Sequence, residues 1–83
     1  MKKRRKAQQR NMIGRRVQQA RLQTKPPVGQ EDLAGRLPGQ GILLDLSTIS
    51  RIEGQSRYVM DYEAAAIART LRVPLTFLFG QNL

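Results

Sequence analysis

Apolar positions near the start of the chain recur at helical spacing rather than in alternation. The steps are four, three and four residues, and the positions are Ile13, Val17, Ala20 and Thr24. This spacing places one weakly apolar stripe along a first helix. Asn11 is a suitable N-cap for that helix, and Pro26 and Pro27 forbid its continuation. We therefore expect the first helix to end between Gln23 and Lys25.

A second helix is predicted over residues 30–37. Gly29 can open it, and its apolar positions Leu33, Ala34 and Leu37 fall on one face. A cluster of helix breakers that begins at Pro38 is expected to end it. The apolar residues 42–44 that follow are the one local hint of extended structure, and they are too few to found a sheet.

Three more helical segments complete the pattern. Asp45 is a good N-cap for a third helix over residues 46–53, in which Ile49 and Ile52 form the buried pair. A fourth helix is predicted over residues 61–71, where four apolar residues follow the i, i+3, i+4, i+7 pattern. Its apolar positions are Ala64, Ile67, Ala68 and Leu71. A short fifth helix follows Pro74 and carries Leu75, Leu78 and Phe79. The fold class predicted from this pattern is all-α.

Positive charge is concentrated at one end of the chain. Lys and Arg number 15 against six Asp and Glu, for a net charge of +9. Residues 1–25 carry ten of the cations and no acid, whereas residues 26–83 carry five cations and all six acids. Such an excess favours a basic, disordered arm over residues 1–10, followed by a folded domain over residues 11–83. The arm and the first helix would face a polyanion. A solubilising tail is the alternative for the first few cations.

Composition excludes several classes of function. The chain contains no Cys and no His, which removes disulfides, thiolate or imidazole metal sites and catalysis by those side chains. Six carboxylates without a glycine-rich phosphate loop offer no recognisable active site, so we expect neither an enzyme, a cofactor nor a metal. No stretch approaches the roughly 18–20 apolar residues of a membrane span, and the basic start lacks the apolar stretch of a secretory signal.

An ordered set of short motifs runs through most of the chain. The set is Ile13-Gly14-x-Arg16-Val17, Arg21, Gln30-Glu31-Asp32-Leu33-Ala34, Ser47-Thr48-Ile49-Ser50-Arg51-Ile52-Glu53, Arg57, Asp61-Tyr62-Glu63, Ile67-Ala68 and Leu71-x-Val73. Over residues 12–80 it resembles the lambda-repressor-like helix-turn-helix proteins, the Cro and xenobiotic-response-element class of bacterial and phage regulators. The resemblance implies a five-helix domain whose third helix enters the DNA major groove.

The resemblance also implies which residues meet DNA. Base edges or nearby phosphates would be contacted by Leu46, Ser47, Ser50 and Arg51. The DNA backbone would be contacted by Gln30, Thr48 and Arg57. The excess of positive charge, rather than the resemblance, predicts further backbone contacts by the arm residues Lys2, Lys3, Arg4 and Arg5. Arg21 and Glu53 match a pair that bridges the first helix to the end of the third. The chemistry agrees, because the arginine fork suits guanine O6 and N7 and a leucine can touch a thymine methyl.

Simpler interpretations exist for several of these residues. One alternative is that the hydroxyls of Ser47, Thr48 and Ser50 do no more than hydrogen-bond the free backbone groups at the helix end. Another is that Arg57 is a loop charge without a partner. Arg51 and Glu53 could be ordinary surface charges. Tyr58 and Tyr62 are expected to pack in the domain rather than stack on bases. The sequence departs from the family in the long turn over residues 38–44, and in Gln55 and Arg72, which stand where the family often has Gly.

The function predicted first is a sequence-specific DNA-binding transcriptional regulator, a repressor acting as a homodimer on a palindromic operator. Its partner would be double-stranded DNA, with no membrane involved, and its location the cytoplasm, in association with the nucleoid. The alternatives are an antitoxin or another partner-binding module on the same fold, and a non-specific binder of RNA or other polyanions.

Overall fold

The computed structural model describes residues 9–80, and these residues are helical or in short connections. The five α-helices are α1 (Gly14–Gln23), α2 (Gln30–Arg36), α3 (Leu46–Glu53), α4 (Asp61–Leu71) and α5 (Leu75–Leu78). A 3-10 helix, Leu37–Gln40, follows α2 directly. No strand occurs within residues 9–80, including the apolar stretch 42–44. The predicted all-α class is confirmed.

Asn11 caps α1 from outside the helix. Its side-chain Oδ1 accepts hydrogen bonds from the backbone N–H groups of Ile13, at 3.0 Å, and Gly14, at 2.8 Å. These donors are among those that the first turn of a helix leaves without a backbone partner. The helix therefore begins at Gly14, and it ends at Gln23 ahead of the two prolines, within the predicted interval.

The predicted end of the second helix is confirmed to within one residue, since α2 ends at Arg36. The chain continues from α2 through one tight 3-10 turn, in which proline is tolerated at the first positions because those N–H groups need no partner. It leaves the helical path only at Gly41, whose φ of 83° is a left-handed conformation that favours glycine. Part of the long connection between α2 and α3 is therefore ordered helix.

All five α-helices contribute buried side chains to one core. The largest fully buried side chains are Val17, Leu33, Leu37, Ile49, Ile52, Ile67 and Leu78. Ile49 and Ile52 are 1% and 0% exposed, as their spacing predicted. Because these two residues fix one face of α3 against the core, its opposite face is left to solvent.

The expectation that Tyr58 and Tyr62 pack in the domain is wrong. Their side chains are 66% and 57% exposed, the first in the α3–α4 connection and the second in the first turn of α4. Gln55 and Arg72, which occupy glycine positions of the resembled family, adopt positive φ angles of 64° and 59°. Each left-handed non-glycine residue costs on the order of 1 kcal/mol.

Arg10, the last residue of the predicted arm, contacts the folded domain. Its backbone N–H donates to Gln55 O at 2.7 Å, and its Nη1 donates to the Tyr58 hydroxyl at 3.2 Å. The guanidinium carbon lies 5.3 Å from the Tyr58 ring centroid, within the range of a cation–π contact. The predicted arm contacts Lys2, Lys3, Arg4 and Arg5 lie outside the described residues. Within residues 9–80, no helix is long and apolar enough to cross a membrane.

Candidate nucleic-acid interface

The start of α3 is fixed by Asp45. The Asp45 Oδ1 accepts a hydrogen bond from the backbone N–H of Thr48 at 2.8 Å, the arrangement of an N-cap. Hydrogen bonding to Thr48 lowers the pKa of Asp45, so its carboxylate stays ionised at neutral pH. The hydroxyl of Thr48 is thus not needed to cap the helix, and its predicted phosphate contact stays a prediction.

The outward face of α3 carries the four residues predicted to meet bases. These are Leu46, which is 44% exposed, and the exposed Ser47, Ser50 and Arg51. Arg51 Nη1 donates to Ser47 Oγ at 3.2 Å, which lays the side chain along the helix toward its N-terminal end. Arg51 forms no ion pair with any residue in 9–80. Most of the five N–H donors of its guanidinium are therefore free for a ligand.

The end of α3 is fixed by the predicted ion pair. Arg21 Nε lies 2.7 Å from Glu53 Oε2, and Arg21 Nη2 donates to Glu53 Oε1 at 2.9 Å. The two side chains are only 8% and 5% exposed, so Glu53 is not a surface charge. Arg21 Nη1 also donates to the carbonyl of Val28 at 3.0 Å. The hydrogen bond to Glu53 raises the pKa of Arg21 above its ordinary value.

Gln30 joins α2 to the same carboxylate. Its Nε2 donates to Glu53 Oε1 at 3.0 Å, so Glu53 links the three helices α1, α2 and α3. One amide N–H of Gln30 is used in this bond and the other remains. A phosphate contact by Gln30 therefore has a single side-chain donor available, and it stays a prediction.

Arg57 has partners, so its interpretation as an isolated loop charge is wrong. Its Nη1 and Nη2 donate to the carboxylate of Glu63 at 3.0 and 3.2 Å, and Nη1 also donates to Tyr58 O at 2.9 Å. Burial raises the pKa of Glu63, but the hydrogen bonds from Arg57 and from the backbone of Met60 outweigh it and lower the pKa. Nε–H and one Nη2–H of Arg57 remain for the predicted contact with the DNA backbone.

Two residues that support α3 were not singled out as site residues from the sequence. Asn11 Nδ2 donates to Ile52 O at 3.1 Å and to Arg57 O at 2.8 Å, which ties the start of α1 to both sides of the turn after α3. Gly14 lies so close to this turn that a Cβ would overlap the Ile52 carbonyl and lie 3.0 Å from Glu53 O. In the sequence, Gly14 stood out only as part of a motif. Nothing in the sequence indicated that the Asn11 side chain would bond to the turn after α3.

The arrangement is a short helix held at both ends, with hydrogen-bond donors and one unpaired guanidinium on its exposed side. No group of three or more carboxylates within the described part of the chain could hold a metal ion. Such a face can donate to acceptor-rich edges or to phosphate, and Leu46 adds an apolar contact beside them. No family model, curated protein or solved structure matches the chain.

Proposed function

We propose that this protein is a sequence-specific DNA-binding transcriptional regulator with a lambda-repressor-like helix-turn-helix fold, a repressor that acts on the nucleoid as a homodimer. The observation that carries the proposal is the exposed face of α3, where Leu46, Ser47, Ser50 and Arg51 stand opposite the buried Ile49 and Ile52.

Rigidity supports this assignment, because reading bases requires side chains that are held in place before DNA arrives. Asp45 caps one end of α3. Glu53 anchors the other end through Arg21 and Gln30. A protein that binds polyanions without specificity needs only positive charge at its surface. The buried hydrogen bonds of Glu53 to Arg21 and Gln30 do not increase that charge, so they are better explained by a need to hold α3 in place.

In the proposed complex, α3 lies in the major groove with its first residues at the base edges. Arg51 makes a bidentate contact to guanine O6 and N7, Leu46 meets a thymine methyl, and Ser47 and Ser50 donate to nearby acceptors. Gln30, Thr48 and Arg57 donate to phosphates beside the groove. The cations of residues 1–6 add affinity that does not depend on sequence.

Selection from a pool of random DNA duplexes, with the full chain as bait, tests the proposal. We expect a defined motif whose affinity exceeds that of random duplex by about 10³-fold or more. Double-stranded RNA of the same length, and therefore of the same charge, serves as the matched competitor. Equal binding to every duplex and to the RNA, with a steep loss in salt, would instead make the protein a polyanion binder.

A further inference from the structure

An apolar cleft of about 330 Å³ opens on the side of the domain where α1 and α4 begin and α5 ends. Ile13 and Ala64, 2% and 4% exposed, form its floor. Val59, Met12 and Phe79 line it at the surface, and the last two are 63% and 40% exposed. Met12 and Phe79 therefore leave apolar surface exposed at the mouth of the cleft.

Two charges of opposite sign line the same cleft. They are Arg10 and Asp61, and within residues 9–80 neither forms an ion pair, with the other or with a third residue. Arg10 is held in place by Tyr58. Asp61 is the first residue of α4, where the positive end of the helix favours a carboxylate. The cleft therefore carries one cation and one anion around an apolar centre.

We propose that this cleft is the contact between two copies of the chain, an inference that rests on the proposed function because a palindromic operator recruits two copies. In a two-fold interface, if one residue of the first copy contacts a second residue of the other copy, the reverse contact also forms. Arg10 and Asp61 can therefore pair across such an interface, each with the opposite charge on the other copy. Met12 and Phe79 pack against the second copy, and Arg10 of each copy faces Asp61 of the other.

This contact leaves the proposed DNA-binding face free. None of Leu46, Ser47, Ser50 and Arg51 lines the cleft. The cleft lies instead beside the start of α1, which Asn11 ties to the turn after α3. A contact at the cleft therefore fixes the distance between the α3 helices of the two copies, and this distance must match the half-site spacing of the operator.

The contact is expected to be weak away from DNA. Eight of the residues that the structure describes line the cleft, whereas a stable interface involves roughly 20–30 residues a side. Each copy also carries a net charge of +9, so two free copies repel each other. DNA phosphates offset this repulsion, and the two copies associate when both are bound to one operator.

The test compares a duplex carrying the full selected site with one carrying a single half-site. The variant Phe79→Ser removes the apolar contact, and Leu22→Ser is the matched control, since Leu22 is 53% exposed on α1 and does not line the cleft. Wild type and Leu22→Ser should bind the full site cooperatively, with a gain of about tenfold or more over independent half-sites. Phe79→Ser should lose this gain and keep its half-site affinity.

A charge exchange tests the pairing itself. Arg10→Asp and Asp61→Arg should each weaken cooperativity, and the double variant should restore it, because both paired charges are then reversed together. Half-site affinity, measured for every variant, corrects for the altered attraction to phosphate. Cooperativity retained in Phe79→Ser, no recovery in the double variant, or a selected motif with only one half-site would overturn the proposal.

If no duplex is bound selectively, the proposed function fails and the cleft is still tested without DNA. Sedimentation equilibrium at millimolar protein in high salt, where charge repulsion is screened, measures self-association directly. A dimer in wild type that is lost in Phe79→Ser supports the cleft contact. A monomer throughout, or equal association in both proteins, overturns it.

Discussion

An alanine at Gly14 should push α1 away from the end of α3. A Cβ at this position would overlap the carbonyl oxygen of Ile52 and lie 3.0 Å from both Glu53 O and Gln55 Cγ. Two of these three atoms belong to the backbone and cannot rotate away. The helix must therefore move by about 1 Å to restore a van der Waals separation near 3.5 Å.

Two opposing terms set the magnitude. Alanine is a better helix former than glycine by about 1 kcal/mol. Overpacking costs about 1–3 kcal/mol, and an overlap with fixed backbone falls at or above the upper end. The displacement also stretches the buried bonds between Arg21 and Glu53. We therefore expect Gly14→Ala to lower the free energy of unfolding by about 2 kcal/mol, which corresponds to a fall in Tm of roughly 8–16 °C.

Thermal melts followed by circular dichroism measure this effect, with Gly35→Ala as the matched control. Gly35 lies in α2 without a positive φ, and a Cβ added there would meet no atom within 4 Å. The same substitution at Gly35 should raise the free energy of unfolding by up to about 1 kcal/mol. A Gly14→Ala protein that melts at or above wild type would refute the close approach of α1 to α3.

Three further perturbations have defined outcomes. Arg21→Ala or Glu53→Ala leaves a buried charge alone and should cost about 3–5 kcal/mol in thermal melts; melting temperatures equal to wild type would exclude a buried pair. Because the folded pKa of Glu63 is lowered, the stability from its pairing with Arg57 is present above the unfolded Glu pKa near 4.3 and lost as pH falls through the folded pKa. Melts from pH 7 to pH 3 should therefore show a smaller acid loss in Glu63→Gln, and an identical loss would contradict this assignment. Deleting residues 1–6 should weaken the salt dependence of DNA binding without altering the selected motif. The slope of log affinity against log salt concentration should fall by about 0.9 for each phosphate contact that is lost. An unchanged slope would show that the segment is only a solubilising tail.

Local patterns in the sequence were enough to predict the helices and to identify the side of α3 that faces the core. Ile49 and Ile52 lie three residues apart, and this spacing alone predicts which side of the helix is buried. The 3-10 turn over Leu37–Gln40 was not predicted, because proline usually breaks a helix, although the first positions of a helical turn tolerate it. The exposed tyrosines were misjudged because aromatic character alone does not decide burial.

Contacts between residues far apart in the sequence were harder to predict. The pair of Arg21 and Glu53 was predicted only through the family resemblance, since the two residues are 32 positions apart. The second partner of Glu53, Gln30, was not foreseen, because nothing local distinguishes an amide that faces a carboxylate from one that faces solvent. The bonds of Asn11 to the turn after α3 depend likewise on how the helices pack.

Base reading by α3 is tested most directly at Arg51. Binding-site selection with wild type, Arg51→Ala and the control Arg69→Ala compares the removal of two exposed arginines, one on α3 and one on α4. We expect Arg51→Ala to lose its preference at one guanine position and about 1–3 kcal/mol on the selected site. Arg69→Ala should select the wild-type motif. An identical motif from Arg51→Ala, at uniformly reduced affinity on every duplex, would contradict base reading by this helix.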